Sequence, residues 1–305
     1  MIYSPSSLRM FSEDRSNFYL TYIAKNRPPR SPQTMPMGLG SYFDCRVKDQ
    51  IQLDVLHQPS LFSTEMMSSV ELPIREPIAP HGERVWEMYK SVGAWKWLKK
   101  LLRKVTDITT EEMISGKIGS VEIRGIPDLI FKVDGKWVIF DWKVNGYFSQ
   151  SNVGPNKYYS KLLEVGGKNK MHRQVMITDP ALLVNGMHTM DECNQGWSVQ
   201  LATYAMIMGI EEDFIGMIDQ LTFVNGSAGK ELRCGQFRMK ITQDYMEEVY
   251  NRYELMDGVV KSGHIFTDMT RAKSDERCLE LEDVGFALLS DDDPSLLTYM
   301  QRHCR

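Results

Sequence analysis

The sequence predicts an α/β protein with a strand-rich centre flanked by helical segments. Three observations predict this class: an amphipathic N-terminal part, runs of apolar, β-branched and aromatic residues within 109–144, and helical patterns after Ser198. With 305 residues, the chain can bury one substantial core that carries insertions. Hydrophobic residues make up 42% and charged residues 25% of the chain, as is usual for a globular protein.

The pattern along the chain predicts one domain and a tail. We expect a single domain over residues 1–270 and an acidic peripheral tail over 271–305. Within the domain, 1–105 is a helical N-terminal part and 106–270 is the core, which contains an insertion at 145–196. The insertion is polar and has no clear periodicity, and loops that long are usually functional or disordered.

Capping residues and turn formers set the expected elements. Serines precede the first helical pattern and Thr242 precedes the last, and both residue types are good N-caps. Four prolines between Gln58 and Pro80 predict a loop or irregular strand. Helices are expected at 6–26, 38–56, 83–105, 198–209 and 242–261, and strands within 109–144, at 219–225 and at 231–241.

Charge, cysteines and hydropathy limit the class of protein. The net charge is −4, so any nucleic-acid contact must come from a local basic patch. The five cysteines are scattered without a C-x-x-C pair, which is typical of reduced thiols in the cytoplasm. No apolar run approaches the roughly 18 residues of a membrane span. We expect a cytoplasmic protein with no membrane segment.

A β-hairpin is predicted at the centre of the chain. An Asp-Gly pair at 134–135 lies between apolar runs at 129–133 and 136–140. This arrangement is the strongest short-range signal for a hairpin with a two-residue type I′ loop. The register of such a hairpin places Asp128 directly opposite Asp141.

Asp128, Asp141 and Lys143 are therefore predicted to share one face of a sheet, because side chains alternate between faces along a strand. Two facing carboxylates repel each other unless a cation lies between them. Mg²⁺ is commonly held by one or two carboxylates, so the pair predicts a metal site. The alternative is a surface hairpin with an Asp–Lys pair. Both strands are apolar on both faces, which favours a central, partly buried strand pair.

A second pair of polar residues lies in the helical pattern after Ser198. Gln200 and Tyr204 are four residues apart and share one helix face. An amide and a phenol can hydrogen-bond a phosphate or a water molecule without adding charge. Alone, the spacing also fits a half-buried surface, so its value depends on the hairpin that precedes it.

Three motifs together resemble a known family. Gly125-Ile-Pro-Asp128, Asp141-Trp-Lys143 and Gln200-Leu-Ala-Thr-Tyr204 are similar to G-x-x-D, D/E-x-K and Q-h-x-x-Y of the RecB-like branch of the PD-(D/E)XK nucleases. The segment from Ser4 to Phe11 also resembles the N-terminal segment of that branch. The resemblance implies a restriction-endonuclease-like core, with a central mixed β-sheet flanked by helices.

The resemblance also implies a catalytic centre. Asp128, Asp141 and the main-chain carbonyl of Trp142 would bind Mg²⁺ or Mn²⁺. Lys143 would help to deprotonate or orient the attacking water, and its ammonium would counter developing negative charge. The glutamine and tyrosine of the third motif would position the water or a phosphate.

One position departs from the pattern of the branch. A metal-binding histidine usually occurs there as G-x-x-x-H, and Gly40-Ser-Tyr-Phe-Asp44 has aspartate instead. Aspartate suits Mg²⁺ or Mn²⁺, so Asp44 is a candidate metal ligand. The alternatives are Glu87 as the ligand, or a solvated Asp44 with no role. Some family members hold an iron–sulfur cluster on four cysteines, and the cysteine spacing here does not predict one.

The insertion interleaves basic and aromatic residues. Such a pattern suits a single-stranded nucleic acid, whose bases stack and whose phosphates are neutralised. A solvated basic loop is the alternative. The candidate DNA contacts are Lys157, Tyr158, Lys161, Lys170 and Arg173.

The resemblance implies a metal-dependent DNA nuclease, and in particular a RecB-like exonuclease of bacterial or phage origin that acts in recombination, repair or replication. Its partners would be DNA, as a single strand or a duplex end, and a recombination or replication protein. The alternatives are a structure-specific or restriction-like endonuclease, and a non-cleaving nuclease-fold module that binds DNA or a partner. The intact set of Asp128, Asp141 and Lys143 favours an enzyme, since a decayed site would be free to lose any of them.

Overall fold

A computed structural model describes most of the chain before the acidic tail. The described residues are 1–24, 32–59, 66–148, 154–155, 159–165, 170–175, 183–184, 187–188, 195–226, 229–263 and 265. The tail expected at 271–305 lies outside the described residues.

The N-terminal part is mainly helical. Ser4 caps the first helix, because its side chain accepts from Ser7 N at 3.2 Å while Ser7 Oγ accepts from Ser4 N at 2.8 Å. Thr34 caps the third helix through its hydroxyl, which accepts from Met37 N. The helices are α1 (Pro5–Glu13), α2 (Arg15–Phe18), α3 (Met35–Asp54), α4 (Leu72–Ser91) and α5 (Ala94–Leu102), with a π-helical turn at Tyr19–Ile23 and a 3₁₀ turn at Met66–Ser69.

Two expectations for this part were wrong. The loop predicted before Pro80 is helical from Leu72 onward, so α4 contains Pro77 and Pro80. The helix predicted at 83–105 is instead two helices, because Gly93 adopts a φ of +83° between them. The prolines are tolerated because α4 packs closely on α3, where a Cβ added to Gly82 would lie 2.0 Å from Tyr42 Cδ1. Tertiary packing here outweighs the cost of the lost helical hydrogen bonds.

The described strands are β1 (Ile2–Tyr3), β2 (Thr106–Thr110), β3 (Ile114–Ile118), β4 (Val121–Gly125), β5 (Leu129–Val133), β6 (Lys136–Asn145), β7 (Tyr159–Val165), β8 (Lys170–Val175), β9 (Leu183–Val184), β10 (Met187–His188), β11 (Phe214–Gly226) and β12 (Gly229–Ile241). They form two sheets. The smaller sheet has the order β1-β4-β3, and the larger has the order β2-β5-β6-β11-β12-β10-β9, with β7 paired to β12 and β8 to β7. The β6–β11 pair is parallel and the β5–β6 and β11–β12 pairs are antiparallel, so the larger sheet is mixed.

The central hairpin has the predicted register. Asp134 and Gly135 both have positive φ, at +50° and +79°, as a type I′ loop requires. Val133 pairs with Lys136 and Leu129 with Phe140. Asp128 directly precedes the first paired residue of β5, and Asp141 directly follows its partner Phe140 in β6.

The insertion at 145–196 contains strands, although its sequence predicted none. β7 pairs with β12 and β8 with β7, so the insertion widens the main sheet. The sequences of β7 and β8 do not alternate between polar and apolar residues. These segments form strands because β7 pairs with the edge of β12 and β8 pairs with β7, and this pairing is not visible in their own sequence.

Helices cover both faces of the main sheet. One face, which includes Ile139 and Ile218, packs against α1, α6 (Gln195–Ile207) and α7 (Gln243–Ser262). The other face, which includes Phe131 and Phe140, packs against α3, α4 and α5. Thr242 caps α7 as predicted, since its hydroxyl accepts from Tyr245 N at 3.3 Å. Within the described ranges, no helix combines the length and apolar character needed to span a bilayer.

Candidate active site

The site is built at the end of the central hairpin. Asp128 Oδ2 accepts a hydrogen bond from the backbone N–H of Trp142 at 3.0 Å, which ties the motif before β5 to β6. Asp141 is 2% exposed, and the carboxyl groups of Asp128 and Asp141 lie within hydrogen-bonding reach of each other. The hairpin therefore brings the two predicted carboxylates together.

α6 adds the predicted glutamine and tyrosine to this pair. Lys143 forms an ion pair with Asp141, and its Nζ donates to Gln200 Oε1 at 3.0 Å. Gln200 Nε2 lies 3.1 Å from Asp141 Oδ1 and 2.9 Å from Tyr204 Oη. Five residues that the sequence singled out thus form one connected cluster: Asp128, Asp141, Lys143, Gln200 and Tyr204.

Sequence reasoning missed a second cation beside this cluster. Lys48 on α3 is 1% exposed, and its ammonium contacts Asp44 at 2.5 Å, Glu111 at 2.8 Å and Asp128 at 3.3 Å. The four-residue spacing of Asp44 and Lys48 on a helix was the available signal. Glu111 gave no signal, and its φ of +52° lies in a region that residues other than glycine rarely adopt.

Asp44 lies at the edge of the same site. Its Oδ2 contacts Lys48, while its Oδ1 is buried and has no hydrogen-bond partner among the described residues. Glu87, the alternative ligand, is exposed on α4 and pairs with Lys90 at 2.6 Å. In the described part of the chain, no three carboxylate, histidine or cysteine side chains are arranged to hold a metal ion as they stand. The Lys48 ammonium lies among the carboxylates of Asp44, Glu111 and Asp128.

Burial and neighbouring charges move the pKa values in the site. Burial, followed by the charge of Asp128, raises the pKa of Asp141 to about 7. Burial also acts to raise the pKa of Asp128, but the ammonium groups of Lys48 and Lys143 outweigh it and hold that pKa below its usual value. Burial acts to lower the pKa of Lys143, and the charges of Asp141 and Asp128 outweigh it and raise that pKa. Lys143 therefore holds its proton at neutral pH.

Three of the candidate DNA contacts lie on the inserted strands. Lys161 is in β7, where it pairs in register with Arg233 of β12. Lys170 begins β8, and Arg173 in that strand pairs with Leu162. Lys157 and Tyr158 lie outside the described residues.

Comparisons with known proteins bear on this geometry. The sequence model of the PD-(D/E)XK nuclease superfamily matches residues 2–160. No curated protein matches the chain. Among solved structures, a candidate exonuclease from Eubacterium rectale is similar, with a TM-score of 0.45 and 14% identity over 85% of this chain and 80% of its own. The protein SSO0001 is similar with a TM-score of 0.31 and 11% identity, over 92% of this chain and 97% of its own.

The family model spans more than half of the chain and covers the hairpin and the Asp44 helix. The mixed sheet flanked by helices is the restriction-endonuclease-like fold expected of that family, whose members typically use divalent metal ions. The chain belongs to the PD-(D/E)XK nuclease superfamily.

Proposed function

We propose that this chain is a metal-dependent deoxyribonuclease, and specifically a RecB-like exonuclease that shortens DNA in recombination, repair or replication. One observation carries the proposal. The carboxylates of Asp128 and Asp141 are joined to Lys143, Gln200 and Tyr204 in one cluster, and a cavity opens beside the last three. The preference for exonuclease action rests on the resemblance of the three motifs to the RecB-like branch.

The residues of the site fit a divalent cation. The donor set consists of Asp128, Asp141 and the main-chain carbonyl of Trp142, and hard oxygen donors of this kind suit Mg²⁺ or Mn²⁺. The buried Oδ1 of Asp44, which has no hydrogen-bond partner among the described residues, supplies a further acceptor. When bound, the ion would lower the pKa of a water molecule and stabilise charge on the scissile phosphate.

The protein's own side chains supply orientation and charge. The protonated Lys143 would donate to the phosphate oxygens and balance the charge that develops on them. Gln200 accepts from Lys143 through its Oε1 and donates to Asp141 through its Nε2, so it fixes the distance between the Lys143 ammonium and the Asp141 carboxylate. Tyr204 in turn accepts from Gln200 and fixes the orientation of the amide. This chain of hydrogen bonds pre-organises the site before the substrate binds.

The inserted strands are proposed to contact the DNA. Lys161, Lys170 and Arg173 would neutralise phosphates of the bound strand, as would Lys157, while Tyr158 would stack on a base. Changing any of the four cations should weaken binding on DNA of any sequence and reduce its dependence on salt.

A cleavage assay tests the proposal. Wild-type protein is incubated with end-labelled linear and covalently closed circular DNA, single- and double-stranded, with Mg²⁺ or Mn²⁺. We expect the wild-type protein to degrade linear DNA. Asp141→Asn keeps the shape of the side chain but removes its charge, and it should lower the cleavage activity on the order of 100-fold or more. Asp213→Asn is the matched control, because Asp213 is exposed and pairs with Lys240 at a distance of 2.6 Å.

The outcomes separate the alternatives. Cutting of closed circles would favour an endonuclease, and DNA binding without cleavage under any condition would favour the non-cleaving module. Equal activity of wild type and Asp141→Asn would overturn the site assignment. In a Mg²⁺ titration, Asp44→Asn should bind the ion more weakly, whereas unchanged affinity would leave Asp44 only as a partner of Lys48.

A further inference from the structure

A cavity of about 490 Å³ lies beside the catalytic cluster, a volume within the range of small-ligand pockets. Lys143, Gln200 and Tyr204 of the cluster line part of it. The N-terminus of α1 and the end of β4 line the rest, through Ser4, Pro5, Ser6, Arg9, Arg124, Gly125, Ile126 and Met113. This lining contains three cationic side chains and no carboxylate, although the whole chain carries a net charge of −4.

Arg124 is the most distinctive side chain of this cavity. In β4, Val121, Ile123 and Gly125 are buried while Arg124 is exposed, so the strand directs the guanidinium away from the core. Arg124 forms no hydrogen bond or ion pair with another residue that the structure describes. An uncompensated guanidinium beside an active site is well suited to a phosphate, which it can bind through two parallel hydrogen bonds.

Arg9 on α1 supplies a second cation. Its contact with Glu13 is long, at 3.9 Å, and both side chains are exposed, so this ion pair competes weakly with a ligand. The N-terminus of α1, which is the positive end of its dipole, also lines the cavity, since Ser4 and Pro5 begin the helix. A second cavity of about 210 Å³ shares Ser6, Arg9 and Gln200 and continues past α1 toward Arg252. Glu13 also lines this second cavity, and Arg252 pairs with Glu248, so the lining without carboxylates is confined to the first cavity.

Two large apolar side chains also line the cavity. Met113 is 65% exposed and Ile126 is 52% exposed, and both line the same space as the two arginines. Covering large apolar side chains with a flat apolar surface removes them from water and lowers the free energy. A nucleotide offers both required parts, a phosphate for the arginines and a base and sugar for Met113 and Ile126.

We propose that this cavity binds the nucleotide adjacent to the scissile phosphate, with that nucleotide's own phosphate on Arg124 and Arg9 and its base and sugar against Met113 and Ile126. The inference rests on the proposed nuclease function, because Lys143 and Gln200 belong to both sites. It makes Arg124 a substrate-positioning residue rather than a catalytic one. It also places the path of the DNA strand over the N-terminus of α1.

Binding measurements in an Asp141→Asn background test the phosphate contact without cleavage. The probe is a short fluorescent single-stranded DNA oligonucleotide, titrated at several salt concentrations. Arg124→Gln should weaken binding on the order of 10-fold and reduce the slope of log K against log salt by about one. Met113→Ser should weaken binding with no change in that slope. Lys117→Gln is the control, because Lys117 is exposed on the neighbouring β3 and pairs with Glu122.

Steady-state kinetics separate this inference from the proposed function. In the otherwise wild-type enzyme, Arg124→Gln should raise KM about as much as it weakens binding and change kcat much less. If wild type cleaves DNA while Arg124→Gln leaves KM and the salt slope unchanged, the subsite is wrong and the nuclease proposal stands. If no variant cleaves DNA but binding still depends on Arg124 and Met113, the nuclease proposal fails and the nucleotide site remains.

Discussion

The ring of Tyr204 lies directly against the backbone of Gly125. A Cβ on Gly125 would come within 2.3 Å of Tyr204 Cε1 and 2.7 Å of its Cδ1. The glycine of the first motif and the tyrosine of the third are therefore two halves of one contact. Gly125 is required here for close approach, and its lack of a side chain allows α6 to present Gln200 to Asp141.

Gly125→Ala should displace Tyr204 and, through their hydrogen bond, Gln200. We expect a loss of nuclease activity of about 10- to 100-fold and of roughly 1–3 kcal/mol in the free energy of unfolding, because a buried ring must move. Activity assays and chemical denaturation measure the two effects. Gly40→Ala is the control, since a Cβ there meets no atom within 4 Å. An unchanged midpoint in Gly125→Ala would contradict the contact. In a Tyr204→Ala background, the same change should cost much less stability than in wild type, because the ring that the new Cβ would meet is absent.

Lys48→Met should leave Asp44, Glu111 and Asp128 without their shared cation. We expect the free energy of unfolding of the metal-free protein to fall by about 2–4 kcal/mol. This is somewhat less than for a fully buried ion pair, because the carboxylates are partly exposed. Mg²⁺ should then raise the melting temperature more in the variant than in wild type, since the ion can take the place of the ammonium. Differential scanning calorimetry with and without Mg²⁺ measures both effects.

The matched control for this change is Lys132→Met. Lys132 pairs with Asp107 at 3.3 Å on the surface, and its loss should cost no more than about 1 kcal/mol. An equal effect of Mg²⁺ on wild type and Lys48→Met would mean that the ion and the ammonium do not compete.

Tyr89→Phe should lower stability while leaving the chemistry largely intact. The buried Tyr89 hydroxyl donates to Asp219 Oδ2 at 2.6 Å and accepts from Trp142 Nε1 at 3.2 Å. This network lies on the opposite face of β6 from Asp141, so it supports the strand rather than the reaction. We expect a loss of about 1.5–3 kcal/mol in urea denaturation, because a buried hydrogen bond to a carboxylate disappears.

For comparison, Tyr250→Phe removes an exposed tyrosine hydroxyl that pairs with Glu254, and it should leave the midpoint of urea denaturation unchanged. If Tyr89→Phe abolished cleavage under conditions where the protein is folded, the network would have to act on the site itself.

The hairpin loop allows a test of backbone conformation alone. Gly135 has a φ of +79°, and a Cβ there would meet no atom within 4 Å. Gly135→Val should therefore lower the free energy of unfolding by about 1–2 kcal/mol, because valine is strained at a positive φ. Gly135→Asn should lower it less, because asparagine tolerates positive φ. Thermal denaturation of the two variants measures the difference, and equal melting temperatures would argue against a type I′ loop in solution.

The hairpin and the third motif could be predicted because their information is local. The Asp134-Gly135 pair determines the loop type, and the loop type determines that Asp128 and Asp141 face each other. The four-residue spacing of Gln200 and Tyr204 needs only the geometry of a helix. Each of these inferences depends only on residues that are close to one another along the sequence.

The features that were missed depend on contacts between distant parts of the chain. Lys48 reads as an ordinary surface lysine on a helix, and only folding brings Glu111 and Asp128 to its ammonium. Pro77 and Pro80 predict a break in α4, which the packing of that helix on α3 prevents. The strand β7 exists because β12 offers it an unpaired edge.

The placement of β7 has a consequence for how such proteins diversify. The cluster is carried by β6, α6 and the Asp128 turn, while the segment that joins β6 to α6 adds its strands to β12, two strands away from β6. Doubling the length of a connection costs only about 0.6 kcal/mol of closure entropy. Evolution can therefore lengthen, shorten or replace this segment without moving a side chain of the cluster. The proposed catalytic cluster can therefore stay the same while the proposed DNA contacts on this segment change.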